Sequence, residues 1–226
     1  MKELSKTEQK SMEVRIPIGP IYLNGNLDIP EGAKGLVVFA HGSGSSRFSS
    51  RNRYVAQELQ KEGLGTLLFD LLTTEEERVD MVTAHIRFDI DLLANRLVEV
   101  TNWLLNNPDT RELIIGYFGA STGAAAALIA AKEHANAVKA VVSRGGRPDL
   151  AEKALSDVKA PTLLIVGGQD FQVIEMNQWA LDRLKVEQKE LKIVPGATHL
   201  FEEPGTLEEV ANLAGEWFKS YLLEKK

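Results

Sequence analysis

The sequence predicts an α/β fold in which one parallel-rich sheet is covered by helices on both faces. Two observations predict it. Short apolar runs recur along the chain, as strands buried in a parallel sheet require. Between those runs lie segments whose apolar residues repeat at helical spacing.

Taken in order, residues 1–12 are polar and charged and are expected to form a flexible N-terminal segment, with 13–226 as a single domain. Glu13–Ile18 and Ile21–Ile29 show broken alternation around Gly19-Pro20 and predict two strands joined by a turn. Gly35–Ala40 and Leu64–Phe69 are apolar runs read as buried strands. Asn52–Glu62, between them, reads as a helix with Val55 and Leu59 on its buried face. Residues 71–86 are mostly polar and acidic and read as a loop. Arg87–Asn106 predicts a long amphipathic helix that buries Ile90, Leu93, Leu97, Val100 and Leu104.

The second half repeats the pattern. Glu112–Phe118, Val138–Ser143, Pro161–Val166 and Leu191–Val194 predict strands. Ser121–Glu133 predicts an alanine-rich helix, and further helices fit near Leu150–Leu155 and Val173–Leu184. The last helix is expected to start at Thr206, with Thr206 and Glu209 as a capping box. Leu207, Val210, Ala214, Trp217, Phe218 and Tyr221 make its buried stripe.

Composition removes several classes of function. The net charge of −6 argues against nucleic acid as the main partner. The absence of cysteine excludes disulfides, thiolate metal sites and a cysteine nucleophile. The four histidines form no HxxxH or similar ligand pair, so no metal is expected. The N-terminus lacks the apolar core of a signal peptide, and no apolar run is long enough to span a bilayer. A cytoplasmic protein with no membrane partner is expected.

The strongest local signal is Gly119-Ala120-Ser121-Thr122-Gly123, a G-x-S-x-G sequence between a predicted strand and a predicted helix. This is the setting of a nucleophile elbow, where a tight turn lifts the serine hydroxyl above the sheet. Gly119 and Gly123 remove side chains where strand and helix must approach closely. The plainer reading is a glycine-bounded turn with an N-cap serine.

A serine needs a base. An imidazole suits the work, because its ordinary pKa of about 6.5 leaves it neutral above that pH. His199 lies just after the last predicted strand and Asp170 just after the strand PTLLIV. A carboxylate placed there can hold the imidazole tautomer and stabilise its cation. The chain order Ser121, Asp170, His199 is that of α/β-hydrolases. Asp149 is a rival acid that reads better as a helix start, and Asp70 is a weaker one because it precedes the serine. Plainer readings make His199 a loop histidine and Asp170 a helix cap. His85 and His134 are expected at the surface.

His41-Gly42-Ser43-Gly44 follows another strand, and its glycines let backbone amides approach a ligand. The amides of Ser43 and Thr122 are the expected oxyanion hole. His41, a candidate substrate contact, reads better as a side chain that pins this loop. The same loop lacks both the dinucleotide and the P-loop glycine patterns. Arg144 and Arg147 flank Gly145-Gly146 after another strand, where a guanidinium can hold a substrate carboxylate or phosphate, or form a surface salt bridge.

HGSGSSRFSSRNR, GYFGASTGAAAAL, SRGGRPDL, PTLLIVGGQD and PGATHLFEEPG together resemble the dienelactone-hydrolase-like branch of the α/β-hydrolases. The resemblance covers residues 13–222 and implies a mostly parallel sheet of about eight strands, with Ser121, Asp170 and His199 as a triad. It departs from dienelactone hydrolases proper in having serine where they use cysteine, so a dienelactone substrate and their substrate-binding arginines are not carried over. It is most like serine-bearing members joined to a phosphoribosyltransferase domain, and no segment of this sequence reads as such a domain.

The expected function is hydrolysis of a small ester or lactone through an acyl-enzyme on Ser121, without a cofactor. Only a short helix fits between Ser143 and Thr162, so no cap domain is expected, and loops 45–51, 71–86 and 144–149 should shape an open site. A homodimer is compatible with these features. The alternatives are a thioesterase or other acyl hydrolase or transferase, and a non-catalytic small-molecule-binding module on the same scaffold.

Overall fold

In the computed structural model, which describes residues 10–223, eight strands form one sheet. They are β1 (Lys10–Ile18), β2 (Ile21–Ile29), β3 (Gly35–Ala40), β4 (Gly65–Phe69), β5 (Ile114–Ala120), β6 (Val138–Arg144), β7 (Thr162–Gly167) and β8 (Lys189–Val194). The helices are α1 (Ser50–Lys61), α2 (Thr74–Thr83), α3 (Ile90–Asn106), α4 (Thr122–Glu133), α5 (Phe171–Arg183) and α6 (Thr206–Phe218).

The strand order is β1-β2-β4-β3-β5-β6-β7-β8. The β1–β2 and β2–β4 pairs are antiparallel, and every pair from β4 to β8 is parallel. Every strand expected from the sequence is present. β1 starts at Lys10, because pairing with Ile29 on β2 extends the ladder into residues 10–12 that the sequence assigns to a flexible segment. The remainder of that segment, 1–9, lies outside the described residues.

β3, β4 and β7 are buried along their whole length, as strands covered on both faces must be. One face packs against α3 and α4, with Leu93, Leu97, Val100, Tyr117 and Leu128 in its core. The other packs against α1 and α6, with Phe39, Val55, Leu59, Phe118 and Phe218. Each such fully buried large side chain contributes about 1.5–3 kcal/mol. Ala124–Ala127 on α4 are all fully buried; their small side chains let the helix lie close to the sheet.

Three local expectations need correction. Residues 71–86, read as a loop, contain α2. Its side chains carry no apolar period and bury only Asp80, so the helix is held by its ends rather than its face. Thr73 Oγ1 accepts from the Glu76 amide and the Glu76 carboxylate accepts from the Thr73 amide, a complete capping box. The capping box expected on α6 does not form. Gly205, at φ +81, is the N-cap, and the Thr206 hydroxyl donates to the Glu203 carbonyl. The helix expected near Leu150–Leu155 is a 3₁₀ stretch over Pro148–Asp157, broken at Glu152 where φ is +41.

No segment after β6 forms a separate cap; the chain passes through this short stretch directly into β7. Among the described residues, no helix is long and apolar enough to cross a membrane.

Candidate active site

β3 lies between β4 and β5, so consecutive connections leave it in opposite directions along the sheet. Such a switch point opens a crevice at the carboxyl ends of the strands. Ser121 stands at that end of β5, beside the loop that leaves β3.

Ser121 sits at φ +50, ψ −124. A non-glycine residue there is strained by about 1–3 kcal/mol, which the surrounding fold must supply. The Ser121 amide donates to the Arg144 carbonyl at 3.4 Å, while its own carbonyl accepts from the Ala124 and Arg147 amides at 3.1 and 3.0 Å. The flanking glycines permit the turn. A Cβ on Gly119 would lie 2.5 Å from Ala124 Cα, and one on Gly123 would lie 2.1 Å from the Ala40 carbonyl oxygen. This is the strand–turn–helix arrangement expected from G-x-S-x-G.

His199 Nδ1 and Asp170 Oδ2 are 2.6 Å apart, with side chains 41% and 16% exposed. With Nδ1–H donating to the carboxylate, the Nε2 lone pair is left free. Asp170 is placed by the turn after β7, where its amide donates to the Gly167 carbonyl. His199 is placed by the loop after β8. There the Glu203 carboxylate accepts from the Thr198 amide and hydroxyl at 3.0 and 2.6 Å. That loop reaches the elbow side of the sheet, since a Cβ on Gly145 would be 3.7 Å from His199 Cε1. Among the described residues no hydrogen bond joins Ser121 Oγ to His199; such bonds are often long before substrate arrives.

His41 is 7% exposed, and both ring nitrogens are engaged within the protein. Nδ1–H donates to the Gly42 carbonyl at 2.9 Å, and Nε2 accepts from the Leu71 amide at 3.1 Å. The ring therefore pins the β3 loop to the segment after β4, as expected of it. Burial pushes the His41 imidazole below its ordinary value, against weaker opposing effects of the Gly42 carbonyl and Asp70.

The unfolded chain consequently takes up a proton before the folded one as pH falls through about 6.5. Folding stability is expected to decline below that pH, by up to about 1.4 kcal/mol per pH unit until His41 itself protonates. Thermal midpoints measured from pH 8 to pH 5 should fall more steeply in the wild type than in His41→Asn. Equal slopes would remove this role.

The rival acids have other duties. Asp70 accepts from the Arg47 amide at 2.8 Å and pairs with its guanidinium, bracing the same loop. Asp149 pairs with Arg147 through two short bonds of 2.8 and 2.9 Å. Arg147 and Arg144, considered as substrate contacts, both form bonds within the protein. Arg144 is 6% exposed and turned toward α1, where it donates to Asn52 Oδ1 at 3.1 Å. Burial, with the nearby Arg51 charge, pushes it down to about 10, so it stays cationic at neutral pH.

A cavity of about 780 Å³ is lined by His41–Ser46 on one side and by Leu71, Glu77, Met81 and Arg87 on the other; Gly42 brings it next to Ser121, while Ser121, Asp170 and His199 themselves do not line it. The 144–149 loop does not line it. The α2 wall is held by Asp80, which accepts from the Ile86 and Arg87 amides at 2.7 and 3.0 Å and from the Arg87 guanidinium. Residues 71–86 were expected to shape the site as a loop; the Thr73–Glu76 spacing is the signal that marks the helix there.

Ser43, the expected oxyanion donor, gives its amide proton to Thr122 Oγ1 at 2.9 Å. The Thr122 amide, first in α4, has no intrahelical acceptor.

The dienelactone hydrolase family model matches residues 23–222. The chain belongs to this family. It has the α/β-hydrolase fold. A dienelactone hydrolase from Anabaena variabilis is 62% identical, with a TM-score of 0.93 over 95% of this chain and 99% of that one. The Pyrococcus furiosus esterase Pf2001 shares the fold at 22% identity, with a TM-score of 0.78 over 95% of this chain and 92% of the other. A Mycobacterium tuberculosis H37Rv protein provisionally named a phosphoribosyl transferase is 60% identical over 210 residues, which make up 93% of this chain and 46% of that protein. This dienelactone hydrolase family member thus spans about half the length of the curated relatives it matches.

Proposed function

We propose that this protein is a serine hydrolase that cleaves small esters or lactones through an acyl-enzyme on Ser121. The observation that carries the reading is the strained Ser121 turn at a strand end that also receives the His199–Asp170 pair, joined at 2.6 Å. Ser121 Oγ attacks the acyl carbon as His199 Nε2 takes its proton. Asp170 holds the imidazole tautomer and stabilises the imidazolium. The Thr122 amide, at the positive end of α4, donates to the oxyanion. His199 returns the proton to the leaving group, and water, activated by the same imidazole, releases the acid. Neither metal nor organic cofactor enters these steps.

The substrate reading rests on the missing cap and on the cavity's short apolar wall of Leu71, Leu72 and Met81. On matched p-nitrophenyl esters, kcat/KM should be higher for acetate and butyrate than for decanoate or longer chains. A rising series would overturn the small-substrate reading. The substrate proposed is a free small molecule, and the location proposed is the cytoplasm.

A further inference from the structure

We propose that the Thr122 hydroxyl is itself an oxyanion donor, so that Thr122 supplies both its amide and its side chain to the reaction. The inference rests on the serine-hydrolase reading above and extends it to a group that reading does not use.

Ser43 has one amide hydrogen, and it is directed at Thr122 Oγ1, 2.9 Å away. An N–H aimed at one acceptor serves a second only weakly. Thr122 Oγ1 thus takes the hydrogen that the Ser43 amide would otherwise offer to another acceptor. This bond lies beside the nucleophile, because a Cβ on Gly42 would be 3.0 Å from Ser121 Cβ.

The hydroxyl has a proton to give. Thr122 is 4% exposed, and among the described residues its O–H has no acceptor. Of the other buried threonines, Thr101, Thr110, Thr162 and Thr206 each donate theirs to a main-chain carbonyl at 2.7–2.9 Å, while Thr66 Oγ1, on β4, accepts from Gln60 Nε2 at 2.7 Å. A buried hydroxyl that accepts without donating lacks its natural partner. An oxyanion formed on the Ser121 adduct supplies one.

When the Ser121 Oγ–carbon bond forms, the carbonyl π electrons move to oxygen. That oxygen accepts from Thr122 N–H and Thr122 O–H. Ser43 N–H, behind the hydroxyl, polarises it and strengthens its donation. No proton leaves Thr122. When the carbonyl reforms and the leaving group departs with the proton from His199, both bonds relax.

Thr122→Val keeps the shape and removes the hydroxyl, and Thr122→Ala also removes the added methyl. Both free the Ser43 amide, so the two assignments predict opposite results. With the hydroxyl as donor, each variant loses about 10²-fold in kcat while KM stays within about threefold. Affinity for a phenylboronic acid, whose serine adduct carries the tetrahedral oxygen, should fall by the same factor. Thr122→Ser should keep most of the activity. Thermal unfolding of each variant separates lost folding from lost chemistry, and Thr122→Ser gives a reading even where valine is not tolerated.

Wild-type or faster turnover in Thr122→Val and Thr122→Ala would assign the oxyanion to the Ser43 amide and overturn the proposal. So would a Thr122→Ser variant as slow as Thr122→Val. A wild type that forms no covalent adduct at Ser121 would remove the hydrolase reading itself, a failure visible before any Thr122 variant is made.

Discussion

Ser121→Ala is expected to lower kcat/KM by about 10⁵–10⁶-fold on any ester the protein turns over. The loss is large because, in the proposed mechanism, Ser121 and His199 act as a unit. Without the hydroxyl, the imidazole has no proton to take and the oxyanion donors have no adduct to stabilise. The fold should survive the change. Alanine carries the same Cβ as serine, and no hydrogen bond from Ser121 Oγ is lost among the described residues. A thermal midpoint near that of the wild type, with activity gone, is therefore the expected pair of results. Activity within tenfold of the wild type would move the nucleophile elsewhere.

Gly123→Ala is expected to destabilise the protein by about 3 kcal/mol or more, lowering its thermal midpoint by roughly 6–12 °C. Helix propensity alone predicts the opposite sign, since alanine gains about 1 kcal/mol over glycine inside a helix. Contact decides the matter. The new Cβ would lie 2.1 Å from the Ala40 carbonyl oxygen and 2.6 Å from that of His41, both backbone atoms at the end of β3. Neither can swing away as a side-chain tip would, so α4 must lift from the sheet. That shift would also displace the elbow and the oxyanion loop, and activity should fall with stability. Calorimetric melting of the purified variant checks the sign. An unchanged or raised midpoint would show that α4 does not bear on β3 as closely as the structure has it.

The parts most legible in the sequence were those fixed by local physics. GLVVFA and PTLLIV read as buried strands because a strand covered on both faces has no reason to alternate. The turn at Ser121 was legible because the tight turn and the helix–strand approach both demand small residues at fixed spacing around it. The Asp170–His199 contact was legible only as chain order. The two residues are 29 apart in sequence, and their 2.6 Å bond depends on how the loops after β7 and β8 meet.

What was missed has a common cause. Helix α2 has no apolar face, so periodicity passes over it, and it is held by a capping box and by Asp80 instead. The partners of Arg144 and Arg147 were open in the sequence, because a guanidinium after a strand can turn toward substrate or toward the protein. Asn52 and Asp149 settle the direction, the first through a contact 92 residues away in the chain. The acceptor of the Ser43 amide was open for a similar reason. Sequence position put its amide at the right loop, but a side chain on α4 took the hydrogen bond. Thr206 and Glu209 matched a capping pattern that Gly205 displaced by capping the helix one residue earlier.

The most direct test of the central claim is intact-mass analysis after treatment with a fluorophosphonate, followed by peptide mapping, on the wild type and on Ser121→Ala and His199→Ala. The account predicts one adduct on the wild type, located at Ser121 and absent from both variants. An adduct that persists in Ser121→Ala, or no adduct under conditions that label a control serine hydrolase, would contradict it.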